Sequence, residues 1–492
     1  MARRVARRSV ESSRSVPRRL APFGTHPTES ELKAMGRSLR SRCGRGSHGA
    51  WKVPANRPDP IQLIHIANRG RIPELLPYRH GRMLQSPFTF FRGSALAMAV
   101  DLATTPTTNV RVQACGDAHL GNFRGFATPE RRIAFDIHDL DETLPGPWEW
   151  DIKRLATSFV VACRGSGLSK RTAEDAVLTC AQSYRRHMAE FSTMSALELW
   201  YARLDLQTLL ANLRNQGMRE RFERRVARVT ARSALEYDFP KLVETAGPEV
   251  RIRDRRPTIY HLSGRAVPGF DAAIRESFAR YRETLPEYRR VVLDRYEFKD
   301  FALKVVGVGS VGTYCAVVLL MANDEDPLFL QVKEARASVL EAYAGRSLYA
   351  NHGQRVVLGH LLMQSASDIF LGWTRGPAGR DFYVRQLRDA KVKVDVETLD
   401  SAEIVQFADW CGHSLARSHA RSGEPAVISG YLGTSDVFDT ALSRFSTAYA
   451  DQNERDYEAM RSAARAGRLE AAIEQRLNAL GEKAERERTR RI

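Results

Sequence analysis

Long hydrophobic runs and paired cysteines are missing from this sequence. No uninterrupted apolar stretch approaches the roughly 20 residues that a helix needs to span a bilayer, which argues against a membrane-spanning role. The 492 residues include only six cysteines, which are scattered and form no C-x-x-C pair. This spacing excludes a disulfide-stapled domain and a structural zinc domain, and it favours a reducing compartment. Internal repeats and long low-complexity tracts are also absent.

Acidic residues are scarce at the start of the chain. The net charge is +17, and residues 1–50 hold twelve Lys/Arg against three Glu. Residues 1–55 are therefore predicted to be a disordered basic arm, either a solvated tail or a weak contact for an anionic partner such as nucleic acid or lipid. No apolar segment follows the Arg pairs, so an export signal fits poorly, although the start resembles an organellar transit peptide. We expect a cytoplasmic protein.

The rest of the chain has the composition of a soluble globular protein, with 43 % hydrophobic and 27 % charged residues. Its length allows two or three domains. The hydrophobic pattern changes along the chain, and we place a boundary near residue 295. The predicted elements are helices from about 60 to 105, strand–loop–strand from 109 to 142, helices from 151 to 240, a three-stranded antiparallel meander from 300, a helix over 334–366, a strand at 381–389 and helices from 400.

The stretch CGDAHLGNF, residues 115–123, carries the first candidate site. A strand delivers Asp117 into a loop that also holds Asn122, and Asp136 stands on the following strand. Three such oxygen ligands suit Mg²⁺ with phosphate oxygens completing its shell, and one acid of the set can accept a proton from a substrate hydroxyl. The cluster continues through His138, Asp139, Asp141 and Glu142. Individually, these residues are also common in turns and caps.

A second candidate site is the G-x-G-x-x-G stretch of Gly307, Gly309 and Gly312. The β-branched run TYCAVVLL follows, so the glycines are predicted to turn between two strands, either as a loop over nucleotide phosphates or as a tight hairpin. Lys333 interrupts an apolar strand about twenty residues later, and Glu341 lies on the predicted helix beyond. Glycine loop, strand lysine and helix glutamate repeat the order of a kinase small lobe.

GDAHLGNF and the acid-ended strand after it resemble motifs of aminoglycoside phosphotransferases and choline kinases. The resemblance implies that Asp117 is the catalytic base and that Asn122 and Asp136 bind the metal. Cys115 stands where those enzymes usually have histidine. The glycine loop and lysine follow the catalytic loop here, which implies a circularly permuted fold in which the helix with SLARSHARSG, residues 414–423, leads into the catalytic loop.

Longer phrases resemble the bacterial family called domain of unknown function 2252, over nearly the whole length beyond the arm. They include SPFTFFRG, FDIHDLDETLPGPWEWDIKRLA, VGVGSVGT, QVKEA, ASDIFLGW, YVRQL and YADQNERDY. The family name implies no substrate.

Together these features predict an α+β, protein-kinase-like, two-lobed fold in permuted order. The segments after the arm are a helical large lobe at 56–295, a small antiparallel β-sheet lobe at 296–395, a helical segment at 396–480 completing the large lobe, and a charged tail at 481–492.

The expected function is ATP- and Mg²⁺-dependent phosphotransfer to an unknown acceptor, a small molecule or a protein. The candidate catalytic residues are Asp117, Lys333 and Glu341, with Asn122 and Asp136 as metal ligands. The candidate nucleotide-binding residues are Gly307, Gly309, Ser310, Gly312, Lys333, Gln386 and Leu387.

Three other functions remain open at this stage. A metal-dependent phosphohydrolase could use Asp117, His119, Asp136, His138 and Asp139. A catalytically silent nucleotide-binding module would keep only the glycine loop and Lys333. A nicotinamide-dependent oxidoreductase fits poorly, because no helix follows the glycines.

Overall fold

A computed structural model describes residues 26–213, 215–230, 239–246, 249–256, 258–261, 270–323, 326–387, 392 and 394–472. Within these ranges the fold mixes helices with small antiparallel sheets. None of the described helices combines the length and the apolar composition that crossing a membrane requires. All six cysteines are buried free thiols.

The helices and strands alternate along the chain. The helices are α1 (Glu29–Ser38), α2 (Pro60–Asn68), α3 (Leu76–Met83), α4 (Pro87–Gly93), α5 (Ala95–Leu102), α6 (Trp148–Gly165), α7 (Lys170–Phe191), α8 (Ala196–Tyr201), α9 (Leu206–Ala211), α10 (Gln216–Thr230), α11 (Phe239–Leu242), α12 (Phe270–Glu283), α13 (Glu287–Leu293), α14 (Glu341–Ala344), α15 (His352–Met363), α16 (Ser401–Ser422), α17 (Pro425–Leu432) and α18 (Val437–Arg465). The strands are β1 (Arg111–Ala114), β2 (Phe123–Ala127), β3 (Ile133–Ile137), β4 (Leu144–Pro147), β5 (Val243–Ala246), β6 (Glu249–Ile252), β7 (Ile259–Tyr260), β8 (Glu297–Lys304), β9 (Cys315–Met321), β10 (Pro327–Glu334), β11 (Gly372–Arg375) and β12 (Asp381–Gln386).

Six strands form one antiparallel sheet in the order β11-β12-β10-β9-β8-β7. The predicted meander is confirmed as β8, β9 and β10, which pair as consecutive neighbours. Side chains alternate across a sheet, so each face of this one has its own apolar cluster. Leu319 and Phe329 belong to one cluster, and Leu320 and Leu330 to the other.

A larger apolar core lies among the helices. It joins α6, α7, α16 and α18 and also takes in buried residues of β1 to β4. Two short antiparallel ladders, β1 with β4 and β2 with β3, lie against these helices. We call this part, with residues 26–213 and 394–472, the helical lobe, and residues 239–387 the sheet lobe.

Residues on both sides of the predicted boundary near residue 295 pack in the apolar clusters of the sheet. Leu242 and Ile259 pack in the cluster with Leu319, and Tyr281 and Leu293 pack in the cluster on the opposite face of the sheet. The described residues between 239 and 293 are therefore grouped here with the sheet lobe, whereas the prediction placed them in the helical large lobe. Charged and proline residues between short apolar segments obscured these packing contacts in the sequence.

The predicted arm also extends too far into the chain. Residues 1–25 lie outside the described part, but α1 begins at Glu29 behind a capping box formed by Thr28 and Glu31. It packs against α17 so closely that a Cβ on Gly36 would lie 2.1 Å from the Val427 carbonyl oxygen. The basic side chain of Arg40 donates to carbonyls at the end of α17, where cations are favoured. The predicted tail, 481–492, lies outside the described residues.

The single helix expected over 334–366 is two helices. The chain after β10 is irregular until α14, which has only four residues, and α15 begins at His352. The turn between them includes Gly345 at φ +97°, a conformation that interrupts a helix.

Candidate active site

The catalytic-loop candidate begins where β1 ends. The backbone N–H groups of Cys115 and Gly116 donate to the Asp151 carboxylate at 2.5 and 2.9 Å. Gly116 has φ +79°, and a Cβ there would lie 2.5 Å from the Glu142 carbonyl oxygen. Only glycine fits this turn without strain, and the turn carries the next residue, Asp117, into a cleft between the lobes.

Asp117 is held by an arginine of α6. Arg154 donates to Asp117 Oδ1 through Nε at 2.7 Å and to the Phe91 carbonyl through Nη2 at 2.9 Å. Burial raises the pKa of Asp117 to about 7, against the opposing charge of Arg154. A carboxyl with a pKa near neutrality can exchange a proton with a substrate at physiological pH.

Lys333 lies one residue before the end of β10 and is almost fully buried. Its Nζ lies 2.6 Å from Asp141 Oδ2 and 3.5 Å from Asp139 Oδ2. Tyr383, its neighbour on β12, donates to Asp141 Oδ1 at 2.6 Å. These contacts join the loop after β3 to the sheet lobe.

The charges around Lys333 act strongly on one another. Burial works to lower the pKa of Lys333, but Asp139 and Asp141 raise it well above its usual value. Burial works to raise the pKa of Asp139, and Lys333 and Arg385 outweigh it and hold that pKa low. The pKa of Asp141 is raised by burial and by the charge of Asp139. The pKa values of the two carboxyls are therefore shifted in opposite directions, down for Asp139 and up for Asp141.

The glycine loop between β8 and β9 lies against the helical lobe. The Gly312 carbonyl accepts from Ile72 N at 2.7 Å, and the Val311 carbonyl accepts from Arg71 Nη1 at 2.6 Å. Ser310 Oγ donates to Asp141 Oδ2 at 3.4 Å. A Cβ on Gly309 would lie 3.4 Å from the Arg92 carbonyl oxygen. The loop thus covers the cleft that holds Asp117 and Lys333.

The cleft has a volume of about 410 Å³ and is rich in charge. Its basic side chains outnumber its acidic ones. The basic set is Arg71, Arg79, Arg92, Arg124, Lys333, Arg336 and Arg385, and the acidic set is Asp117, Asp139, Asp141, Glu142 and Glu334. An excess of positive charge in a cleft attracts anionic ligands.

Several predicted site residues meet in this cleft. They are Asp117, Asn122, Gly307, Gly309, Ser310 and Lys333. Asn122 uses its Nδ2 to donate to the Asp117 and Asp139 carbonyls at 3.1 and 2.9 Å, so its amide links the two acidic loops.

Asp136, the predicted metal ligand, is fully buried away from the cleft. Both of its oxygens lie 2.7 Å from Arg417 Nη2, and Ser414 Oγ and Ser365 N donate to it as well. Its oxygens therefore already have protein partners, and this pairing does not favour the predicted role of Asp136 as a metal ligand. Asp139, three residues later, is the acid that reaches the cleft.

Glu341 does not pair with Lys333, contrary to prediction. It accepts from Ser338 N at 3.3 Å and lies 3.7 Å from His352 Nδ1. The short α14 leaves it away from the lysine, whose partners come from the loop after β3. On α15, Arg355 contacts that loop instead, donating to the Asp141 carbonyl at 2.8 Å.

Gly312, Gln386 and Leu387 are not among the residues lining the cleft. Within the loop, Gly312 lies against Arg71, and a Cβ on it would be 3.2 Å from the Arg71 Cβ. Gln386 donates its backbone N–H to Asp368, and the buried Leu387 donates to the Phe329 carbonyl at 2.9 Å.

A family model described as "Uncharacterized protein conserved in bacteria (DUF2252)" matches residues 71–463. The chain belongs to this family. No curated protein and no solved structure matches it. Every residue of the cleft from Arg71 onward lies within the DUF2252 match.

The sequence left several site residues of this DUF2252 protein without a role. The phosphotransferase interpretation gives no role to Asp139 or Asp141, and only the alternative phosphohydrolase uses Asp139, although the D-x-D spacing puts two carboxylates in one tight loop. Asp151 and Arg154 lie three residues apart on α6, a spacing that puts them on one helix face. Charged residues at such spacing in the first half of a helix whose second half is mostly apolar were the available signal.

Proposed function

We propose that this protein is an ATP- and Mg²⁺-dependent phosphotransferase with a kinase-like arrangement in circularly permuted order. The observation that carries the proposal is that one cleft contains the buried Lys333, the glycine loop and the acids Asp117 and Asp139. Phosphoryl transfer depends on positioning and charge neutralisation, for which these groups suffice. The DUF2252 match itself names no activity.

The nucleotide phosphates would bind between the glycine loop and Lys333. A strand lysine almost fully buried is costly unless an anion meets it, and here Asp141 and Asp139 hold its charge in the cleft. Gly307 and Gly309 line the cleft without side chains, so phosphates could approach the backbone closely. Basic groups in excess over acids favour the same ligand.

Magnesium would bind Asp139 and the Asn122 side-chain oxygen, together with phosphate oxygens. In the described part of the chain, no group of three or more His, Cys, Asp or Glu is arranged to hold a metal ion alone. That donor set fits Mg²⁺ in nucleotide sites, which usually takes one or two carboxylates and completes its shell with phosphate and water. When bound, the ion would neutralise charge on the phosphates.

Asp117 would orient the acceptor hydroxyl and take its proton. The Arg154 hydrogen bond occupies Oδ1, and the side chain remains partly exposed to the cleft. The pKa of about 7 suits this exchange.

The permuted order is supported where α16 meets β1. The Gln113 N–H donates to Ser422 Oγ at 3.1 Å, and His419 Nε2 lies 3.1 Å from the same Asp151 that anchors the catalytic loop. The end of α16 thus lies beside the strand leading to Asp117, as a break in an ancestral connection would leave it.

Buried free thiols favour a reducing, cytoplasmic setting.

The proposal is tested by calorimetric titration of ATP into the full chain with and without Mg²⁺. Wild type should bind more tightly with Mg²⁺. Lys333→Met should lose at least about tenfold in affinity, roughly 1.4 kcal/mol, and Asp139→Asn should lose the Mg²⁺ effect. Glu341→Gln is the control, because Glu341 does not line the cleft and its polar contacts described above are with Ser338 and His352.

Turnover separates the enzyme from a silent nucleotide-binding module. The assay uses ATP labelled at either the γ-phosphate or the α-phosphate. Slow phosphoryl transfer to water should release the γ-label as inorganic phosphate, whereas nucleotidyl transfer to water would release the α-label in AMP. Asp117→Asn should bind ATP and release neither label. ATP binding with no release by wild type would favour the silent module, and no ATP binding would refute the proposal.

A further inference from the structure

Two arginines of the cleft have unused hydrogen-bonding capacity. Arg92 lies in the last turn of α4 and Arg124 lies on β2. Both line the cleft with Asp117, His119 and Asp139. The groups are near enough for their charges to act on one another. Burial lowers the pKa of His119 and the charge of Arg92 adds to that lowering, while Asp117 and Asp139 oppose the lowering of the Arg92 pKa that burial causes.

No hydrogen-bond acceptor among the described residues takes the Arg92 guanidinium, and its Nε is buried without a partner. Arg124 makes one long contact, from Nη2 to the Gly121 carbonyl at 3.4 Å, and its Nε is also buried and unpaired. Burial lowers the pKa of Arg124 to about 10, which still leaves it charged at neutral pH.

Other arginines near the cleft are used differently. Arg154 is shared between Asp117 and the Phe91 carbonyl, and Arg71 donates to the Ala67 and Val311 carbonyls. These arginines hold the fold together. A buried donor without an acceptor costs about 1–3 kcal/mol, so Arg92 and Arg124 reduce stability unless a ligand satisfies them.

We propose that the acceptor substrate carries its own anionic group, a phosphate or a carboxylate, which binds Arg92 and Arg124. The guanidinium fork matches both oxyanions, and two converging arginines hold one in a fixed orientation. The anchored group would leave the hydroxyl of the same molecule at Asp117. This inference rests on the proposed function and names the acceptor class for that cleft.

The competing assignment gives both arginines to the nucleotide. The glycine loop comes from the sheet lobe together with Lys333, whereas α4 and β2 come from the helical lobe. The loop nevertheless touches the Arg92 backbone at Gly309, so Arg92 could reach a terminal phosphate. The experiment must therefore fill the nucleotide site first.

The test is calorimetric titration of inorganic phosphate, and in a second series acetate, into the full chain saturated with Mg²⁺ and the non-hydrolysable analogue AMP-PNP. Wild type should bind at least one of the two anions. Arg92→Gln and Arg124→Gln should weaken that binding at least tenfold and change AMP-PNP affinity less than threefold. Arg171→Gln is the matched control, because Arg171 is 90 % exposed on α7.

Stability provides a second readout. Arg92→Gln removes a half-buried guanidinium whose Nε is buried without a partner, so its Tm should equal or exceed that of wild type, unlike the loss expected for a structural arginine. Arg92→Lys and Arg124→Lys keep the charge without the fork and should recover part of the anion binding. A lower Tm for Arg92→Gln would indicate a structural role and oppose the proposal.

The outcomes separate this inference from the proposed function. The acceptor assignment is overturned if AMP-PNP binds but neither anion does. It is also overturned if the two Gln variants lose as much affinity for AMP-PNP as they lose for the anion. If AMP-PNP fails to bind any form, the proposed function fails. Arginine-dependent phosphate binding to the free protein would then still support an anion site, and its absence would remove the site too.

Discussion

Lys333 Nζ lies 2.6 Å from Asp141 Oδ2, although 192 positions separate the two residues in the chain. The lysine belongs to the sheet lobe and the aspartate to the helical lobe, so this ion pair crosses the cleft. Tyr383 donates to the other oxygen of Asp141 and fixes the carboxylate from the neighbouring strand. One carboxylate thus sets where the lysine of the sheet lobe stands relative to the acidic loops.

Removing one partner of this pair should destabilise the protein. Lys333→Met leaves Asp139 and Asp141 facing each other without the cation, so the free energy of unfolding at pH 7 should fall by about 3–5 kcal/mol. The loss should shrink as the pH falls, because protonation of Asp141, whose pKa is already raised, relieves the repulsion. Urea unfolding at pH 5 and pH 8 measures both effects.

A double-mutant cycle with Asp141→Asn is the control for that loss. If the pair interacts, the double variant should be more stable than the sum of the single losses allows. Additive losses would show that Lys333 contributes to stability through packing alone.

Asp136 and Asp139 should have opposite roles. Asp136→Asn leaves the buried Arg417 without its carboxylate partner, so the free energy of unfolding should fall by about 3–5 kcal/mol. The protein that remains folded should keep its Mg²⁺-assisted ATP binding. Asp139→Asn leaves Lys333 its closer partner Asp141, so the fold should persist while the Mg²⁺ effect disappears. Thermal unfolding and ATP titration of both variants decide the assignment. Loss of Mg²⁺ dependence by a stable Asp136→Asn would reverse it.

The sequence could not choose between these two acids. Both stand in IAFDIHDLDE, and alternation along a strand predicts where a side chain points only when one face is exposed. Here every residue of β3 is buried, because the strand is covered on both faces. Arg417, which neutralises Asp136, lies 281 positions away on α16, and no local pattern indicates that pairing.

Local patterns did predict the elements whose signals are local. The meander β8–β10 has three apolar, β-rich runs with clear turns between them, and the loop carrying Asp117 has two glycines and a preceding strand. The packing of residues 239–293 on the sheet and the role of Arg40 at the end of α17 depend on tertiary contacts. For Glu341, the motif order was the only guide, and the break between α14 and α15 changed which side chains reach Lys333.

Asp117 should give the protein a distinctive pH dependence. Its folded pKa of about 7 lies above the ordinary value of 3.8, so the folded state holds this proton more tightly than the unfolded chain. The contribution of Asp117 to stability therefore declines as pH rises from about 4 to about 7, by up to about 4 kcal/mol. Asp117→Asn should remove this decline, which urea midpoints across that range would measure.

The same carboxyl predicts the pH profile of any γ-phosphoryl release. If the ionised form is the base, release by wild type should rise with pH and level off above about pH 7. If Asp117→Asn shows the same pH dependence of stability or of release as wild type, titration of Asp117 is not its cause.

Gly116→Ala should disturb the acidic loops without removing any polar group. The residue has φ +79°, and its new Cβ would lie 2.5 Å from the Glu142 carbonyl oxygen, so both backbone strain and a clash arise. We expect a loss of about 2–4 kcal/mol in unfolding free energy. Gly165→Ala at the end of α6 is the matched control, since its Cβ would meet nothing within 4 Å and should change stability by less than about 1 kcal/mol. Asp117 follows Gly116 and Asp141 precedes Glu142, so Gly116→Ala should also weaken ATP binding. If the variant keeps both the stability and the ATP affinity of wild type, the close approach of Gly116 to Glu142 does not position the site.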